Sequence, residues 1–272
     1  MDKLNDNYRI AAEWIEKADS LLITAGAGMG VDSGLPDFRG KEGFWNAYPE
    51  LGKQGMDFID IANPQNFIID PELAWGFYGH RLKLYRETEP HDGFYLLNKW
   101  SQSKTYGSFV FTSNVDGHFQ KAGFLSERIY ECHGSIHRLQ CTDECNGIWS
   151  ADHFEPEIDL FSGRLISDPP ICQECGHIAR PNILMFGDFN WQNHMSRTQY
   201  SRYQQWLDET ENMVVIELGA GTTIPSARSE GQRRAKGKLI RINPREPEIN
   251  SGLGISAGAL QALNTVESFL IE

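Results

Sequence analysis

The stretch Ser20–Gly40, SLLITAGAGMGVDSGLPDFRG, sets the architecture of the chain. It begins with the short apolar run Ser20–Thr24, which is bounded by glycines and too short for a helix, so it predicts a buried strand. Gly26, Gly28 and Gly30 follow, and their lack of a Cβ atom lets the backbone approach a ligand closely. A strand, a glycine-rich turn and a helix start direct backbone N–H groups and the positive end of the helix dipole at an anion. The stretch therefore predicts a nucleotide phosphate site, with a simple tight turn as the alternative.

The glycine spacing differs from the fingerprint of dinucleotide-binding dehydrogenases. That fingerprint, G-x-G-x-x-G starting at Gly26, requires a glycine at position 31, where this chain has Val31. A redox dehydrogenase is therefore disfavoured.

Length and composition indicate a globular protein. The 272 residues suffice for one large domain, or a domain with an insert, and 40% hydrophobic residues can build a packed core. The formal net charge of −12 argues against direct nucleic-acid binding, which normally needs a basic surface, and it permits basic peptide partners. No segment resembles a signal peptide or approaches the length of a membrane span, so we expect a cytoplasmic protein without membrane contact.

Apolar runs and helical patterns alternate along most of the chain. Further strands are predicted at Phe109–Ser113, Arg128–Glu131, Ile183–Phe186, Met213–Leu218 and Lys238–Ile242, and helices at Tyr8–Ala18, Glu72–Glu87, Phe94–Gln102, Tyr200–Thr210 and Leu260–Leu270. Such alternation predicts an α/β fold with a doubly wound parallel sheet. Residues 44–90 are rich in aromatic side chains and contain no strand run, which predicts a helical insert.

Four of the five cysteines form two close pairs, which favours a metal site in a reducing compartment over disulfides. Cys141 and Cys145 form the first pair, and Cys172 and Cys175 form the second. Each pair can supply one edge of a tetrahedral thiolate site, and the residues between the pairs can form a small ribbon. Four cysteine ligands leave no open coordination position, so we predict one structural Zn²⁺. Cys132 lies outside the pattern, and we interpret it as a small core residue.

Three polar stretches follow predicted strands, where open α/β sheets bind ligands. The first, TSNVDG, has Asn114 and Asp116 at alternate positions, so on extended backbone their side chains point to the same side; a helix-capping Asx turn is the alternative. The second, ECHGS, contains His133, whose imidazole can accept a proton near neutral pH, although a lone histidine is more often structural. The third comprises Gly219–Thr223 and Asn243, and its small and hydroxyl residues suit phosphate and ribose contacts.

Taken in order, the motifs GAG, PDFR, TSNVDG, CHGS, the two cysteine pairs, RPNILMFGD, GTT and IN resemble those of the sirtuin (Sir2) family of NAD-dependent protein deacylases. The resemblance extends over residues 20–259. It implies a Rossmann-like large domain and an inserted small domain, with NAD and acyl-lysine meeting in the cleft between them. The large domain is expected at residues 1–40, 91–138 and 178–272, and the small domain at residues 41–90 (helical module) and 139–177 (zinc-binding module).

The resemblance also implies roles for individual residues. His133 is the expected general base, and Asn114 is the second expected catalytic residue. Met185, Phe186 and Gly187 are expected to hold the substrate backbone as an added strand. NAD is expected to contact Gly26, Ala27, Gly28, Asp37, Phe38, Arg39, Ser113, Asn114, Val115, Asp116, Gly221, Thr222, Asn243 and Ala257. Structural zinc is expected at Cys141, Cys145, Cys172 and Cys175.

The implied reaction removes acyl groups (acetyl, with succinyl or malonyl as further candidates) from lysines of proteins or peptides and yields nicotinamide and O-acyl-ADP-ribose. Gly30 and Ser113 stand where the family usually has Ser and Gln, so an NAD-dependent protein ADP-ribosyltransferase is an alternative, which the retained His133 disfavours. A non-catalytic NAD or ADP-ribose sensor is a third interpretation. Phe94 and Asp188 are further departures, from the more common His and Glu.

Tyr78 and Arg81 give an indication of the acyl group. The segment WGFYGHR resembles the Tyr-x-x-Arg of a sirtuin class that accepts acidic acyl groups such as succinyl or malonyl. Helix positions three apart share a face, so the two side chains could bind a carboxylate together. The alternative is an aromatic helix with a solvated arginine.

Overall fold

The computed structural model describes residues 2–36, 44, 46, 48–53, 55–143, 145, 147–159 and 161–271. The expected NAD contacts Asp37, Phe38 and Arg39 lie outside the described residues.

The helices and strands match most of the predicted ones. The α-helices are α1 (Asp2–Lys17), α2 (Pro49–Lys53), α3 (Phe58–Ile61), α4 (Asn66–Ile69), α5 (Pro71–Glu87), α6 (Asp92–Gln102), α7 (His118–Lys121), α8 (His194–Glu209), α9 (Ser226–Arg234) and α10 (Ala259–Ile271). The strands are β1 (Ser20–Ala25), β2 (Ser108–Thr112), β3 (Ile129–Glu131), β4 (Gly134–Cys141), β5 (Ile148–Ser150), β6 (Ile158–Asp159), β7 (Arg164–Leu165), β8 (Ala179–Ile183), β9 (Met213–Leu218), β10 (Leu239–Ile242) and β11 (Leu253–Ile255). Ala27–Ser33 and Ser126–Arg128 are 3-10 helices.

Six parallel strands form the main sheet in the order β11-β10-β9-β1-β2-β3. The chain winds outward from β1 to β3 on one side and from β9 to β11 on the other, so the winding reverses between β1 and β9. Such a reversal leaves a crevice at the carboxyl ends of the two strands. All six residues of β1 are buried, as expected of the central strand of a sheet covered on both faces. The predicted Rossmann-like, doubly wound sheet is confirmed.

Helices cover both faces of this sheet because alternate side chains of its strands point in opposite directions. Leu21 and Ile23 of β1 pack in a cluster with buried residues of α1, α6 and α10. Leu22 packs in a second cluster with residues of α8 and α9, among them Tyr203 and Trp206. The two clusters hold the carboxyl ends of the strands at one edge.

The helices α2 to α5 share a separate hydrophobic cluster with an antiparallel sheet of order β5-β4-β8. The hairpin β6-β7 packs against α5 so closely that a Cβ atom on Gly76 would lie 2.0 Å from the carbonyl oxygen of Gly163. Only glycine fits at this position of α5. The predicted domain boundaries stay a proposal, and β4 crosses one of them, at residue 138.

The predicted strand Ile183–Phe186 is wrong in its position. The strand β8 ends at Ile183 and pairs antiparallel with β4. Its residues Arg180 and Asn182 are polar, so β8 lacks the apolar run that identified the other strands. Both are nevertheless buried, because Arg180 pairs with Asp188 and Asn182 donates to Gln140.

Across the described residues, the helices are too short or too polar for any of them to cross a membrane.

Candidate active site

The glycine-rich turn after β1 touches the loop after β9, backbone against backbone. The Gly26 N–H donates to the carbonyl of Leu218 (3.0 Å), and the Gly28 N–H donates to that of Gly219 (3.1 Å). A Cβ atom on Gly26 would lie 2.9 Å from the Cα of Ala220, and one on Gly219 would lie 2.3 Å from the carbonyl carbon of Gly28. Gly219 also has a φ of +57°, which favours glycine. No side chain fits between the two loops, so both positions require glycine.

The turn continues into the 3-10 helix Ala27–Ser33, and His91 holds this helix in place. The His91 imidazole Nε2 is 3.0 Å from the carbonyl of Met29, and its Nδ1 accepts the Gly93 N–H (3.0 Å). Burial lowers the pKa of His91, which keeps the ring neutral and able to accept at Nδ1. Sequence reasoning missed this residue, because its partner Met29 lies 62 positions away in the chain.

Asn114 connects the end of β2 to the glycine-rich turn. Its side-chain amide donates to the carbonyl of Gly26 (3.1 Å), and its backbone N–H donates to the hydroxyl of Thr112 (3.0 Å). The same hydroxyl donates to the carbonyl of Ala25 (3.1 Å). The TSNVDG motif is therefore fixed to β1, and Asn114 lies at the crevice.

Asp116 makes different contacts from Asn114. Its Oδ1 accepts the backbone N–H of His118 (2.9 Å), and its carbonyl is 2.8 Å from Nε2 of His137. The side chain is 9% exposed. Oδ1 of Asp116 therefore forms the Asx turn before a helix that the alternative interpretation proposes. Val115 beside it is buried, and its carbonyl accepts the N–H of Ile136 (3.0 Å).

His133 lies between β3 and β4. Its Nε2 is 3.2 Å from the hydroxyl of Ser226, and the ring also bonds to the backbone of Ser113. Burial lowers the pKa of His133, and the bond to Ser113 opposes this shift. Gly134 has a φ of +78°, and a Cβ atom there would lie 2.0 Å from the carbonyl oxygen of Asn182, so only glycine can follow the histidine. The result is a partly buried neutral imidazole in a fixed turn.

The loops after β9 and β10 are hydrogen-bonded to one another. The hydroxyl of Thr222 donates to Oε1 of Glu246 (2.7 Å). Asn243 donates to the carbonyl of Ala220 (3.0 Å) and accepts the N–H groups of Arg245 (3.0 Å) and Glu246 (3.1 Å). The Asn243 side chain is fully buried, so in this structure it shapes the loops, and its contact with an adenosine stays a prediction.

The predicted NAD contacts that the structure describes, together with His133, follow the carboxyl ends of the six parallel strands. This places them along one edge of the sheet. They are Gly26, Ala27 and Gly28 after β1, Ser113, Asn114, Val115 and Asp116 after β2, His133 after β3, Gly221 and Thr222 after β9, Asn243 after β10, and Ala257 after β11.

The segment after β8 connects His133 to the helical module. The Leu184 N–H donates to the carbonyl of His133 (2.9 Å), and the Phe186 N–H donates to that of Ala62 (2.9 Å). The Met185 side chain is buried. This segment is therefore hydrogen-bonded both to His133 and to the helical module.

A buried ion pair underlies that segment. Arg180 and Asp188 form two hydrogen bonds of 2.8 Å each, and their side chains are 1% and 0% exposed. Asp188 also accepts the N–H groups of Met185 and Asn190 (both 3.3 Å). The aspartate thus closes the turn at the exposed Gly187, whose φ is +66°. The sequence motif contained both charged residues, but sequence reasoning did not pair them.

Arg81 lies inside the helical module, so the alternative of a solvated arginine is wrong. The side chain is 7% exposed, and its Nε and Nη2 donate to the hydroxyl of Tyr85 (3.0 and 2.8 Å). The guanidinium lies 5.3, 5.6 and 5.4 Å from the ring centroids of Phe77, Tyr78 and Tyr85. Burial raises the pKa of Tyr78 to about 12. The Arg81 guanidinium is therefore held among three aromatic rings.

The four paired cysteines converge as predicted. The Sγ atoms of Cys141, Cys145, Cys172 and Cys175 all lie within 4.8 Å of one another. Tetrahedral Zn²⁺ with Zn–S bonds of about 2.3 Å places its sulfurs about 3.8 Å apart, so these thiols fit zinc. Cys132 is separate and packs beside the core around α8, where burial raises its pKa to about 12.

Two of the family departures have local explanations. Phe94 is 1% exposed, and its ring centroid lies 4.9 Å from that of Phe119 and 5.8 Å from that of His118, so an apolar ring fits this position. A Cβ atom on Gly30 would lie 3.0 Å from Cδ1 of Leu35, so a serine there requires Leu35 to move.

Together these features define a doubly wound α/β protein with a crevice suited to a nucleotide, a neutral imidazole beside it and a small four-cysteine module. The family model described as "Sir2 family" matches residues 26–223. This match spans more than half of the chain, and the protein belongs to the Sir2 family.

Relatives and solved structures agree with this assignment. The chain is 29% identical over 232 residues to the "NAD-dependent protein deacylase" of Aquifex aeolicus, with 85% of each chain covered. It is 31% identical over 242 residues to "NAD-dependent protein deacylase 1" of Archaeoglobus fulgidus, with 86% of this chain and 85% of the relative covered. A crystal structure of a Sir2 homologue–NAD complex has a TM-score of 0.70 at 26% identity, covering 95% of this chain and 92% of that one.

Proposed function

We propose that this chain is an NAD-dependent protein-lysine deacylase that acts in the cytoplasm on acyl-lysines of proteins or peptides. The observation that carries the proposal is the position of His133, a neutral imidazole that lies between Ser226, in the segment after β9, and Leu184, in the segment after β8. Membership of the Sir2 family and relatives named NAD-dependent protein deacylases support it.

We assign NAD to the carboxyl ends of β1 and β9, where doubly wound sheets bind nucleotides. The contacts of Gly26 with Ala220 and of Gly219 with Gly28 bring the loops after these two strands together, backbone to backbone. In this assignment the phosphates lie against Gly26, Ala27 and Gly28, the nicotinamide end lies near Asn114 and Asp116, and the adenosine end lies near Gly221, Thr222, Asn243 and Ala257. When bound, NAD supplies the ADP-ribosyl group that receives the acyl group as nicotinamide leaves.

His133 is the general base of the proposed reaction. Its neutral ring accepts a proton at Nε2 from a sugar hydroxyl, which makes that oxygen the nucleophile toward the acyl carbon. Met185, Phe186 and Gly187 hold the substrate backbone beside it as an added strand. The four-cysteine site has no open position, so its metal holds the ribbon together and takes no part in the chemistry.

We also propose that the enzyme prefers acidic acyl groups. Tyr78 and Arg81 are both buried, so a carboxylate that reached them would meet a cation shielded from water. A guanidinium can form charge-assisted, bidentate hydrogen bonds with the carboxylate of a succinyl or malonyl group. The cation–π contacts hold the guanidinium in the absence of such a group.

The decisive experiment incubates the protein with NAD and an equal mixture of acetyl-lysine and succinyl-lysine peptides, with His133→Ala in parallel, and identifies products by mass spectrometry. We expect deacylated peptide and matching O-acyl-ADP-ribose, both lost in His133→Ala. Nicotinamide release with ADP-ribose attached to protein would replace this proposal by the transferase. Bound NAD without any product would replace it by the sensor.

A further inference from the structure

The glycine-rich turn depends on other segments for its shape. Its stretch GAGMG includes three glycines, which have no side chain to fix their backbone and lose much conformational freedom when they are ordered. Asn114 supplies one contact, with the carbonyl of Gly26. His91 supplies another, with the carbonyl of Met29. The two contacts flank Gly28 in the sequence, one of the residues assigned to the phosphates.

Two backbone groups assign the hydrogen of the His91 ring. A backbone N–H only donates, so Nδ1, which is 3.0 Å from the nitrogen of Gly93, is an acceptor. A carbonyl oxygen only accepts, so Nε2, which is 3.0 Å from the oxygen of Met29, carries the ring hydrogen. The two nitrogens therefore have separate roles, because Nδ1 caps the N-terminus of α6 and Nε2 holds the 3-10 helix Ala27–Ser33.

The histidine is confined to one place. His91 is 8% exposed, and Met29 is fully buried. A Cβ atom on Gly93 would lie 2.7 Å from Cε1 of the ring, so a larger residue there would displace the imidazole. The backbone N–H of His91 also donates to the hydroxyl of Ser33 (2.9 Å). The residue thus contacts the 3-10 helix near both of its ends.

We propose that His91 is a positioning residue for NAD, and that the bond from its Nε2 to Met29 holds the glycine-rich turn in the orientation that the pyrophosphate needs. This inference rests on the NAD site of the proposed function. Without the bond, the ligand must order the turn as it binds, and this ordering lowers its affinity. NAD and ADP-ribose carry the same pyrophosphate, so the two ligands should be affected equally.

Two substitutions separate the roles of the two nitrogens. His91→Asn places an amide oxygen as many bonds from Cα as Nδ1, so it keeps the cap on α6 but does not reach Met29. His91→Gln places an amide N–H as many bonds from Cα as Nε2, so it keeps the bond to Met29 and loses the cap. A role confined to the stability of α6 favours asparagine, whereas the positioning role favours glutamine.

Calorimetric titration with NAD and with ADP-ribose measures the effect without any turnover. We expect His91→Asn to raise Kd for both ligands about fivefold, the effect of one lost hydrogen bond, and His91→Gln to stay within about twofold of wild type. His153→Asn is the matched control, because His153 is an exposed histidine that follows β5. It should leave both Kd values unchanged.

A rise in Kd that is as large in His91→Gln as in His91→Asn would overturn the proposal. An unchanged Kd in His91→Asn, or a rise for NAD alone, would do the same. A wild type that binds both ligands but deacylates no peptide would contradict the proposed function, and the Kd values of the variants would still decide the role of His91. A wild type that binds neither ligand would contradict both.

Discussion

At the scale of single residues, burial and one backbone hydrogen bond set the pKa of His133. Its pKa lies below the ordinary histidine value of about 6.5, mainly because burial disfavours the charged ring. The neutral form is the base, and it persists at every pH above that lowered pKa. We therefore expect the acidic limb of the kcat profile for deacylation to have its midpoint below pH 6.5.

The measurement is a kcat profile between about pH 4.5 and 8 at saturating NAD and peptide, with the fold monitored by circular dichroism at each pH. A midpoint at or above about 6.5 would show that a group other than the buried imidazole controls the rate. Nicotinamide exchange, which precedes the base, should lack this limb.

Arg81 allows a second test at this scale, of acyl preference. Arg81→Met removes the guanidinium while it keeps a long apolar stem, and we expect it to lower the ratio of kcat/KM for succinyl-lysine over acetyl-lysine at least tenfold. Lys83→Met is the matched control, because Lys83 is an exposed cation on the same helix, α5. A ratio that is the same in wild type and Arg81→Met would contradict the acidic-acyl pocket and leave the deacylase standing.

The sequence indicated candidate site residues where several polar residues share one motif. Asn114 and Asp116 share TSNVDG, and His133 stands in CHGS. Ser226 and His91 were missed because each contacts a residue far away in the chain, His133 and Met29 respectively. A single serine or histidine carries no local pattern, so such pairs emerge only from tertiary structure.

At the scale of elements, a local sequence pattern predicts β1, whereas β8 depends on contacts that only the tertiary structure shows. The strand β1 is buried on both faces and consists largely of apolar residues, so its apolar run predicts a strand. The strand β8 is equally buried, but it carries Arg180, Pro181 and Asn182. The Arg180 side chain pairs with Asp188, and the Asn182 side chain donates to Gln140. Pattern reasoning cannot place a strand whose burial depends on distant partners.

The Arg180–Asp188 pair gives the prediction at this scale. Asp188→Asn leaves the guanidinium buried without its counter-charge, and we expect it to lower the free energy of unfolding by about 3–5 kcal/mol. It should also raise KM for the peptide, because the carboxylate holds the N–H of Met185. Denaturant titration and peptide kinetics measure the two effects.

The matched control removes an exposed carboxylate. Glu13→Gln breaks the pair with Arg9 on α1, whose side chains are 44% and 55% exposed, and should change the free energy of unfolding by less than about 1 kcal/mol. Similar costs for both variants would mean that the Arg180–Asp188 pair contributes no more than a surface contact.

At the scale of the whole molecule, the strand β4 connects the four-cysteine site to the turn that carries His133. This strand begins at Gly134, next to His133, and ends at Cys141. The ribbon between the cysteine pairs carries the hairpin β6-β7, which packs against α5. A disturbance of the metal site can thus reach both the helical module and the base.

Metal removal tests this connection. We expect a chelator to release one zinc per chain, expose the ribbon and abolish deacylation, while the six-stranded sheet persists because its clusters contain none of the four cysteines. Hydrogen exchange should accelerate in residues 147–178 and in α5 but not in β1 or β9, since local unfolding follows the contacts that are lost. Cys172→Ser should reproduce this pattern without chelator, whereas Cys132→Ser should keep its zinc. Equal acceleration in β1 and β9 would mean that the metal stabilises the whole molecule as one cooperative unit.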